Sequence, residues 1–313
     1  MKKCILCLIQ LLIFLFFLFF PTETFEASKR GLLLWFDTLL PTLLPFLILS
    51  QTILKTSLTD SLQKFFGPIF RRIFHCSEEG AFCLLCGFLC GCPVGAKLIA
   101  FSVHEHRLKE EEGQYLLSFC NQVSPIFCIS YGIIYGIGSK NLVPYLLIIY
   151  GSAILLGLLT RPRLLPASDF SAKKQTSPVE TIFQLIDVCI IDSFYVLIKL
   201  CGYLILFSIF NQIFFMAIPV HTPAVTAALA SILEITNGLN HVHSLSPGPL
   251  RSAIGIAALS FGGFCCAFQT NSVISSTSLS LRKYLYSKGL HALLALFLYF
   301  LWSFSCFAIN CWC

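Results

Sequence analysis

Polar and helix-breaking residues interrupt an apolar run at GFLCGCPVGAKLIAF, residues 87–101. Pro93 removes a backbone donor, and Gly91 and Gly95 permit backbone conformations that other residues avoid. The pattern predicts a turn with Gly91 as a hinge, followed by a half-helix that begins near Pro93. The free N–H groups at the start of such a helix, with Lys97 on its first turn, would bind a small anion such as a carboxylate. We therefore predict that Pro93, Gly95 and Lys97 contact a substrate.

Each of these features also has an ordinary structural interpretation. Glycines are common in transmembrane helices, and Gly87 and Gly91 have the G-x-x-x-G spacing of a helix-packing surface. The side chain of Lys97 could instead extend along the helix to the membrane surface, as long basic side chains do. The adjacent Pro93 and Gly95 favour the anion site for Lys97, while packing is the favoured role of Gly87 and Gly91.

A second polar group lies in FCNQVSPIF, residues 119–127. Asn121 and Ser124 are three residues apart, so they share one face of a helix. Pro125 cannot bond the carbonyl one turn earlier, which leaves a free acceptor near Asn121. We predict that Asn121 and Ser124 bind a substrate and that Pro125 is a hinge. An interhelical hydrogen bond at a simple kink is the alternative.

A third polar group, LEITNG at residues 233–238, carries an ionisable residue inside an apolar segment. Such a residue is a functional hypothesis by default. Glu234 could bind a coupling proton or sodium ion, with Thr236 and Asn237 as further ligands and Gly238 as a hinge. The alternative places Glu234 at the mouth of the segment, in contact with water.

The fourth polar group, FGGFCCAFQTN at residues 261–271, places donors and acceptors after two glycines. Gly262 and Gly263 would break the helix. Gln269, Thr270 and Asn271 would then complete a binding site. The alternative is that these three residues form the polar end of an ordinary span.

Composition identifies the environment in which these residues work. Of the 313 residues, 57% are hydrophobic and only 12% are charged, whereas a soluble domain has about 25% charged residues. The sequence thus predicts an all-α polytopic membrane protein.

The sequence lacks a P-loop, a nucleophile elbow, an H-E-x-x-H motif and a dinucleotide fingerprint. We therefore expect neither an enzyme nor an ATP-driven pump, and no cofactor or nucleic-acid partner. The 16 cysteines lack the spacing of metal ligands, and we expect no metal site.

Nine apolar runs are long enough to enter a bilayer about 30 Å thick. They are residues 4–20, 31–54, 81–103, 114–137, 142–160, 179–218, 222–240, 251–274 and 291–312. Residues 1–30 are predicted to form an N-terminal transmembrane anchor, because the apolar run is longer than that of a signal peptide and no A-x-A site follows it; cleavage is the alternative. In 179–218, the acidic residues Glu180, Asp187 and Asp192 predict an amphipathic helix that leads into a span near 195–218.

The distribution of basic residues favours two segments that enter the membrane and return, 81–103 and 222–240. With that arrangement, the only lysines and arginines on the outer side are Lys29, Arg30, Lys140 and Arg251. Lys97 and Lys199 lie within segments, and all the others are on the inner side. Such a bias obeys the positive-inside rule.

The two halves of the chain repeat the same order of parts. Residues 31–160 and 179–313, joined by a cytoplasmic linker at 161–178, each contain a helix, a re-entrant hairpin, a polar broken helix and a closing helix. Each half crosses the membrane three times, so the second half is inverted relative to the first. Inverted-topology repeats with broken helices are typical of secondary transporters, which bind their substrate near the midplane.

Three motifs in this order, GCPVGAK (91–97), FCNQVSPIF (119–127) and SFGGFCCAFQT (260–270), resemble the YlbJ-type sporulation integral membrane proteins. That family is grouped with the nucleoside-recognition (Gate) domain proteins and is distantly similar to concentrative nucleoside transporters. The resemblance covers about residues 31–310. The family's hairpin motif falls on Gly91, Pro93, Gly95, Ala96 and Lys97, and its broken-helix motif falls on Asn121, Ser124 and Pro125.

The resemblance implies a multi-pass protein that carries dipicolinate, a small organic anion, across the outer forespore membrane of sporulating cells. A proton or sodium ion is the expected coupling ion, the bilayer is the expected partner, and an oligomer is compatible with the sequence. A nucleoside transporter and a non-transporting scaffold for spore morphogenesis are the alternatives.

Overall fold

The computed structural model describes residues 2–162, 182–218 and 220–310, and these residues form fifteen α-helices and two π-helical segments. Most of the predicted linker 161–178 and the residue Glu180 lie outside the described residues. The elements are α1 (Lys2–Phe19), α2 (Pro21–Leu33), π1 (Leu34–Leu39), α3 (Leu40–Lys55), α4 (Ser57–Phe74), α5 (Glu78–Cys90), α6 (Val94–His104), α7 (Glu110–Cys120), α8 (Pro125–Phe127), π2 (Cys128–Ile137), α9 (Leu142–Leu159), α10 (Ile182–Ala217), α11 (Pro223–Leu233), α12 (Ile235–His243), α13 (Pro249–Phe261), α14 (Gly263–Ile274) and α15 (Leu281–Asn310).

Six of the described helices are long and apolar enough to cross a membrane, and a seventh crossing is possible if the bent pair Lys64–Phe74 and Glu78–Cys90 forms one span. The six are Pro21–Ile53, Glu110–Ile137, Leu142–Leu159, Ile182–Ala217, Pro249–Ile274 and Leu281–Ser305. The predicted class, an all-α polytopic membrane protein, is confirmed. The N-terminal helix contributes a shorter apolar stretch, Gln10–Phe19.

Helices α5 and α6 form the first hairpin. The Ser77 side chain accepts a 3.0 Å hydrogen bond from Gly80 N and so starts α5. Gly91, with φ of 74°, ends it. The arms then lie side by side, because a Cβ atom on Gly95 would be 2.9 Å from the Cα atom of Gly87. Gly87 and Gly95 therefore allow the two arms to approach closely.

Helices α11 and α12 form the second hairpin. The turn is Glu234, whose backbone is extended. Gly238 packs so closely on Ser231 of the other arm that a Cβ atom at residue 238 would overlap the Ser231 backbone. Gly238 is thus a close-contact position inside α12, and the predicted hinge lies at Glu234 instead.

Two of the spans are broken. Residues 121–124 separate α7 from α8, which begins with Pro125, a favoured first residue of a helix. Gly262 and Gly263, with φ of 84° and 77°, separate α13 from α14. These left-handed conformations favour glycine, so the structure places both breaks at the predicted residues.

The structure has the predicted order of parts in each half: α3, hairpin, broken helix and α9, then α10, hairpin, broken helix and α15. The halves also interlock. The α6 arm packs on α14, and the α12 arm packs on π2, so each hairpin contacts the broken helix of the other half. That the hairpins are re-entrant and that the repeats are inverted across the membrane stay predictions.

The structure corrects the prediction for residues 179–218. An amphipathic helix followed by a separate span was expected, but α10 is one continuous helix of 36 residues. Asp192, which motivated the expectation, pairs with Lys55 of α3 at 2.7 Å. α10 packs on both α2 and α3, and this packing supports a single long helix.

Two polar segments between the predicted apolar runs, residues 55–80 and 275–290, contain helices. Residues 55–80 include α4, in which Phe66 stacks on Phe70 and Phe70 contacts Phe74 edge to face, and Phe74 then stacks on Phe119 of α7 with ring centroids 5.2 Å apart. Residues 275–290 include the start of α15, and the predicted boundary at residue 30 falls inside α2. In each case packing against a neighbouring helix extends the element beyond its apolar run.

Candidate functional site

The tips of both hairpins, the break after α7 and the first turns of α14 surround one cavity of about 70 Å³. Most of the remaining wall is apolar and comes from α3 and α10. The residues at the tips and along the broken helices are Cys92, Pro93, Val123, Ser124, Glu234, Ile235, Thr236, Cys265, Cys266 and Gln269. Five of the residues predicted as substrate ligands, from both halves of the chain, are therefore brought together: Pro93, Ser124, Glu234, Thr236 and Gln269.

The first hairpin tip lies directly on the break after α7. The backbone N–H of Cys92 donates a 2.6 Å hydrogen bond to the carbonyl oxygen of Gln122. A Cβ atom on Gly91 would be only 2.6 Å from Ser124 N. Gly91 is therefore required twice, for its positive φ and for this close approach.

Asn121 is a junction between elements, with its side chain 1% exposed. Its Nδ2 donates to Thr270 Oγ1 at 2.9 Å and to Tyr284 OH at 3.2 Å. Its Oδ1 accepts from Ala96 N at 3.2 Å. These bonds tie α6, α14 and α15 to the break, and neither Asn121 nor Thr270 is among the residues that line the cavity. In this structure Asn121 and Thr270 connect these elements to one another, and the predicted contact of both residues with a substrate stays a prediction.

Glu234 lines the cavity and is 2% exposed. Its Oε1 accepts from both the N–H and the hydroxyl of Thr236 at 2.8 Å, and its Oε2 accepts from Asn237 N at 2.7 Å. The carboxylate therefore caps the start of α12, where the helix dipole favours a negative charge. The arrangement holds the carboxyl group of Glu234 in a fixed position at the second hairpin tip.

Two residues that line the cavity, Gln269 and Ser124, have polar groups that could form hydrogen bonds with a ligand. Gln269 Nε2 donates to Cys265 Sγ at 3.3 Å, and sulfur is a weak acceptor, so a ligand oxygen could replace it with a gain in hydrogen-bond strength. Ser124 Oγ accepts from Phe127 N at 3.4 Å, which leaves its hydroxyl hydrogen available.

Lys97 faces an adjoining cavity of about 240 Å³, between α6, α10 and α14. This second cavity also contacts Lys199, Tyr195 and Ser272, and it shares Pro93, Val196, Leu200 and Gln269 with the first. The Lys97 side chain is exposed. Lys97 therefore lies on the first turn of α6, as predicted, but beside the central cavity and outside it.

Two other predicted ligands lie away from the central cavity. Asn237 Nδ2 donates to Ser208 Oγ at 2.9 Å, and its side chain faces a third cavity, of about 690 Å³, with Arg30 and His241. Asn271 is exposed and lines none of the three cavities. Helical rotation explains this result, because residues 269 and 271 point to different sides of α14.

The burial of a basic residue beside the site, Lys288, was not predicted from the sequence. Lys288 was counted among the inner-loop charges, but it lies on α15 with 2% exposure, and its Nζ donates to Gln122 Oε1 at 2.7 Å. Lys288 lies one helical turn before the apolar run 291–312, and His291 begins that run; this i, i+3 pair of basic residues is the signal that could have revealed the buried lysine. Among the described residues, no group of three or more His, Cys, Asp and Glu side chains could hold a metal ion.

Comparison with known proteins agrees with the motifs. The chain is 26% identical over 320 residues to the sporulation integral membrane protein YlbJ of Bacillus subtilis (strain 168), in an alignment that covers 90% of this chain and 78% of that protein. No family model matches the chain, and no solved structure matches it. The predicted resemblance to YlbJ-type sporulation membrane proteins is confirmed.

Proposed function

We propose that this chain, a relative of the YlbJ-type sporulation integral membrane proteins, transports a small organic anion by alternating access, with dipicolinate as the first candidate. The transport step is placed at the outer forespore membrane. The similar protein's description as a sporulation integral membrane protein supports the cellular setting, and the arrangement of the site supports the chemistry.

The observation that carries the proposal is the cavity itself. The two hairpin tips, the break after α7 and the first turns of α14, just beyond the second break, meet at a single cavity, so both halves of the chain contribute to it. Secondary transporters bind their substrates where discontinuous helices meet at a repeat interface, because the broken backbone offers free donors and acceptors there. A scaffold would have no need for this convergence of broken backbone on a cavity.

The positive features on one side of the site favour an anion. The N-terminus of α6 begins beside Pro93, which lines both the central and the adjoining cavity, and Lys97 and Lys199 line the latter. Helix N-termini and lysines both favour carboxylates. A cavity of about 150 Å³ holds a benzene-sized ring, so the central cavity of about 70 Å³ must open towards the adjoining 240 Å³ cavity before it can hold an aromatic dicarboxylate.

Glu234 fits the role of a coupling group. Its carboxylate lies at the cavity wall, and its charge would repel an anionic substrate unless a proton or sodium ion is bound with it. A cation that enters at Glu234 would therefore raise the affinity for the anion, which is the linkage that a coupled transporter requires.

A nucleoside is the second candidate substrate, because Ser124, Thr236 and Gln269 supply neutral donors and acceptors at the same cavity. A neutral ligand would make no use of the nearby lysines. Uptake measurements distinguish the two substrate classes directly.

The test uses purified full-length protein in liposomes, with labelled dipicolinate and labelled uridine, with and without a proton or sodium gradient. We expect gradient-dependent uptake of dipicolinate that Gln269→Ala lowers about tenfold. The matched control is Asn271→Ala, two residues along α14 but exposed, which should transport normally. Uptake of uridine alone would select the nucleoside function, and uptake of neither, from well-folded protein, would favour a scaffold.

A further inference from the structure

Lys288 is a cation in the interior of the protein. Its side chain, on α15, is 2% exposed, and its Nζ donates a 2.7 Å hydrogen bond to Gln122 Oε1. An ammonium group carries three N–H donors, so this amide oxygen satisfies one of them. Removing a charged group from water is costly unless an opposite charge accompanies it.

No described carboxylate accompanies Lys288. The ion pairs among the described residues are Lys55 with Asp192 and His104 with Glu105. The next polar residue along α15, His291, is itself buried, and its two ring nitrogens lie 2.9 Å from the carbonyl oxygens of Ser260 and Ile149. Neither contact supplies a negative charge, and no carboxylate of the described residues forms an ion pair with the ammonium group.

The position of Lys288 connects it to the central cavity. Gln122, which accepts from Lys288 through its side chain, also accepts from Cys92 N through its backbone at 2.6 Å. On the other side, a Cβ atom at Gly262 would lie 3.6 Å from Cys266 Cβ and 3.9 Å from Lys288 Cε. Cys92 and Cys266 both line the cavity, so Lys288 lies directly behind the wall that these two cysteines form.

We infer that Lys288 is a specificity-determining residue that selects small carboxylates over neutral ligands at the central cavity. The charge of Lys288 acts on the ligand across the cysteine side chains that separate the two. The low dielectric of the protein interior keeps this electrostatic interaction strong over several ångströms. A bound carboxylate would then supply the negative charge that no described carboxylate provides to Lys288. The inference rests on the proposed function and deepens it, because it names Lys288 as a source of the preference for anions besides the helix N-terminus and Lys97.

The geometry also separates Lys288 from Glu234. The Glu234 carboxylate is held by the N-terminus of its own helix, α12, whereas Lys288 is held by the break after α7. Both residues belong to the second half of the chain, but the Lys288 side chain bonds to Gln122 of the first half, whereas Glu234 bonds to its own helix. A cation at Glu234 and an anion near Lys288 can therefore bind together without competing for one group.

The experiment compares a carboxylate with its neutral analogue. Binding of dipicolinate and of pyridine-2,6-dicarboxamide is measured on purified full-length protein for the wild type, Lys288→Met, Lys288→Arg and the control Lys283→Met. Lys283 is exposed on the same helix. We expect Lys288→Met to weaken dipicolinate binding about tenfold or more while diamide binding is unchanged, and we expect Lys288→Arg to restore the preference for the anion.

Two results would overturn the inference. If Lys288→Met binds both ligands as the wild type does, the charge has no part in selection. If it weakens both ligands equally, Lys288 is only structural. A wild-type protein that binds the diamide and no carboxylate would instead refute the anion-transport function, which is a distinguishable outcome.

Discussion

Asn121 and Thr270 are 149 residues apart in the sequence and are joined by a 2.9 Å hydrogen bond between Asn121 Nδ2 and Thr270 Oγ1. The bond links the break of the first broken helix to α14 of the second half. Asn121 also accepts from Ala96 N at the start of α6. One buried amide thus holds three separately encoded parts of the candidate site in register.

Substitution of this amide should destabilise the protein. Asn121→Ala removes the partner of Thr270, Tyr284 and the Ala96 N–H, and each buried polar group left without a partner costs about 1–3 kcal/mol. We expect a clear decrease in the melting temperature of the purified protein and lower abundance in the membrane. Asn271→Ala, at an exposed asparagine, should leave both unchanged. Equal melting temperatures for the two variants would contradict the junction role.

The first hairpin should depend on Gly91 more than on other glycines. Gly91→Ala would introduce a side chain at φ of 74° and 2.6 Å from Ser124 N, and the left-handed conformation alone costs about 1–2 kcal/mol. We expect loss of dipicolinate uptake and a lower melting temperature. In Gly151→Ala, at a helical glycine with no atom within 4 Å of the added Cβ, stability should be equal or slightly higher. Normal uptake by Gly91→Ala would mean that the tip geometry is not required.

Substitution of Glu234 should abolish the dependence of uptake on an ion gradient without abolishing the binding of dipicolinate. Glu234→Gln keeps a side-chain acceptor for the start of α12 but removes the negative charge. We expect dipicolinate to bind and to exchange between the two sides of a liposome, while the dependence of uptake on a proton or sodium gradient disappears. The matched control is Glu112→Gln, a buried glutamate of α7 whose Oε1 accepts from Ser77 N outside the cavity. Retained gradient dependence in Glu234→Gln would place the coupling ion elsewhere.

The lysines of the adjoining cavity should control the rate of anion arrival. Lys97→Gln and Lys199→Gln each remove a positive charge from the cavity of about 240 Å³. We expect each variant to lower the initial rate of dipicolinate uptake a few-fold, the pair to lower it about tenfold, and the difference to shrink at high salt. Lys140→Gln, at an exposed lysine of the 138–141 turn, is the control. A salt-independent loss would indicate a contact that is made only after binding.

The sequence is informative about the breaks because glycine and proline act locally. Pro93, Pro125 and the Gly262–Gly263 pair mark ends and starts of helices through their own backbone restrictions, and the structure places breaks at each of them. The order of hairpins and broken helices follows from these positions and from the lengths of the apolar runs between them.

Features that depend on distant partners were not predictable in this way. The burial of Lys288 depends on how α15 is rotated towards Gln122, 166 residues earlier. The pairing of Asp192 in α10 with Lys55 joins residues that are 137 positions apart. The exclusion of Asn271 from the cavity depends on the rotation of α14. Each is decided by tertiary packing, which a single sequence read in local windows does not contain.

The crossed packing of the two halves has a consequence for how the protein can move. The α6 arm packs on α14, and the α12 arm packs on π2. A movement of either hairpin away from the cavity therefore requires the broken helix of the other half to move with it or to slide past it. If the chain transports as proposed, movement of one hairpin would be coupled to the broken helix of the other half, and this coupling would disfavour a state that is open to both sides of the membrane at once.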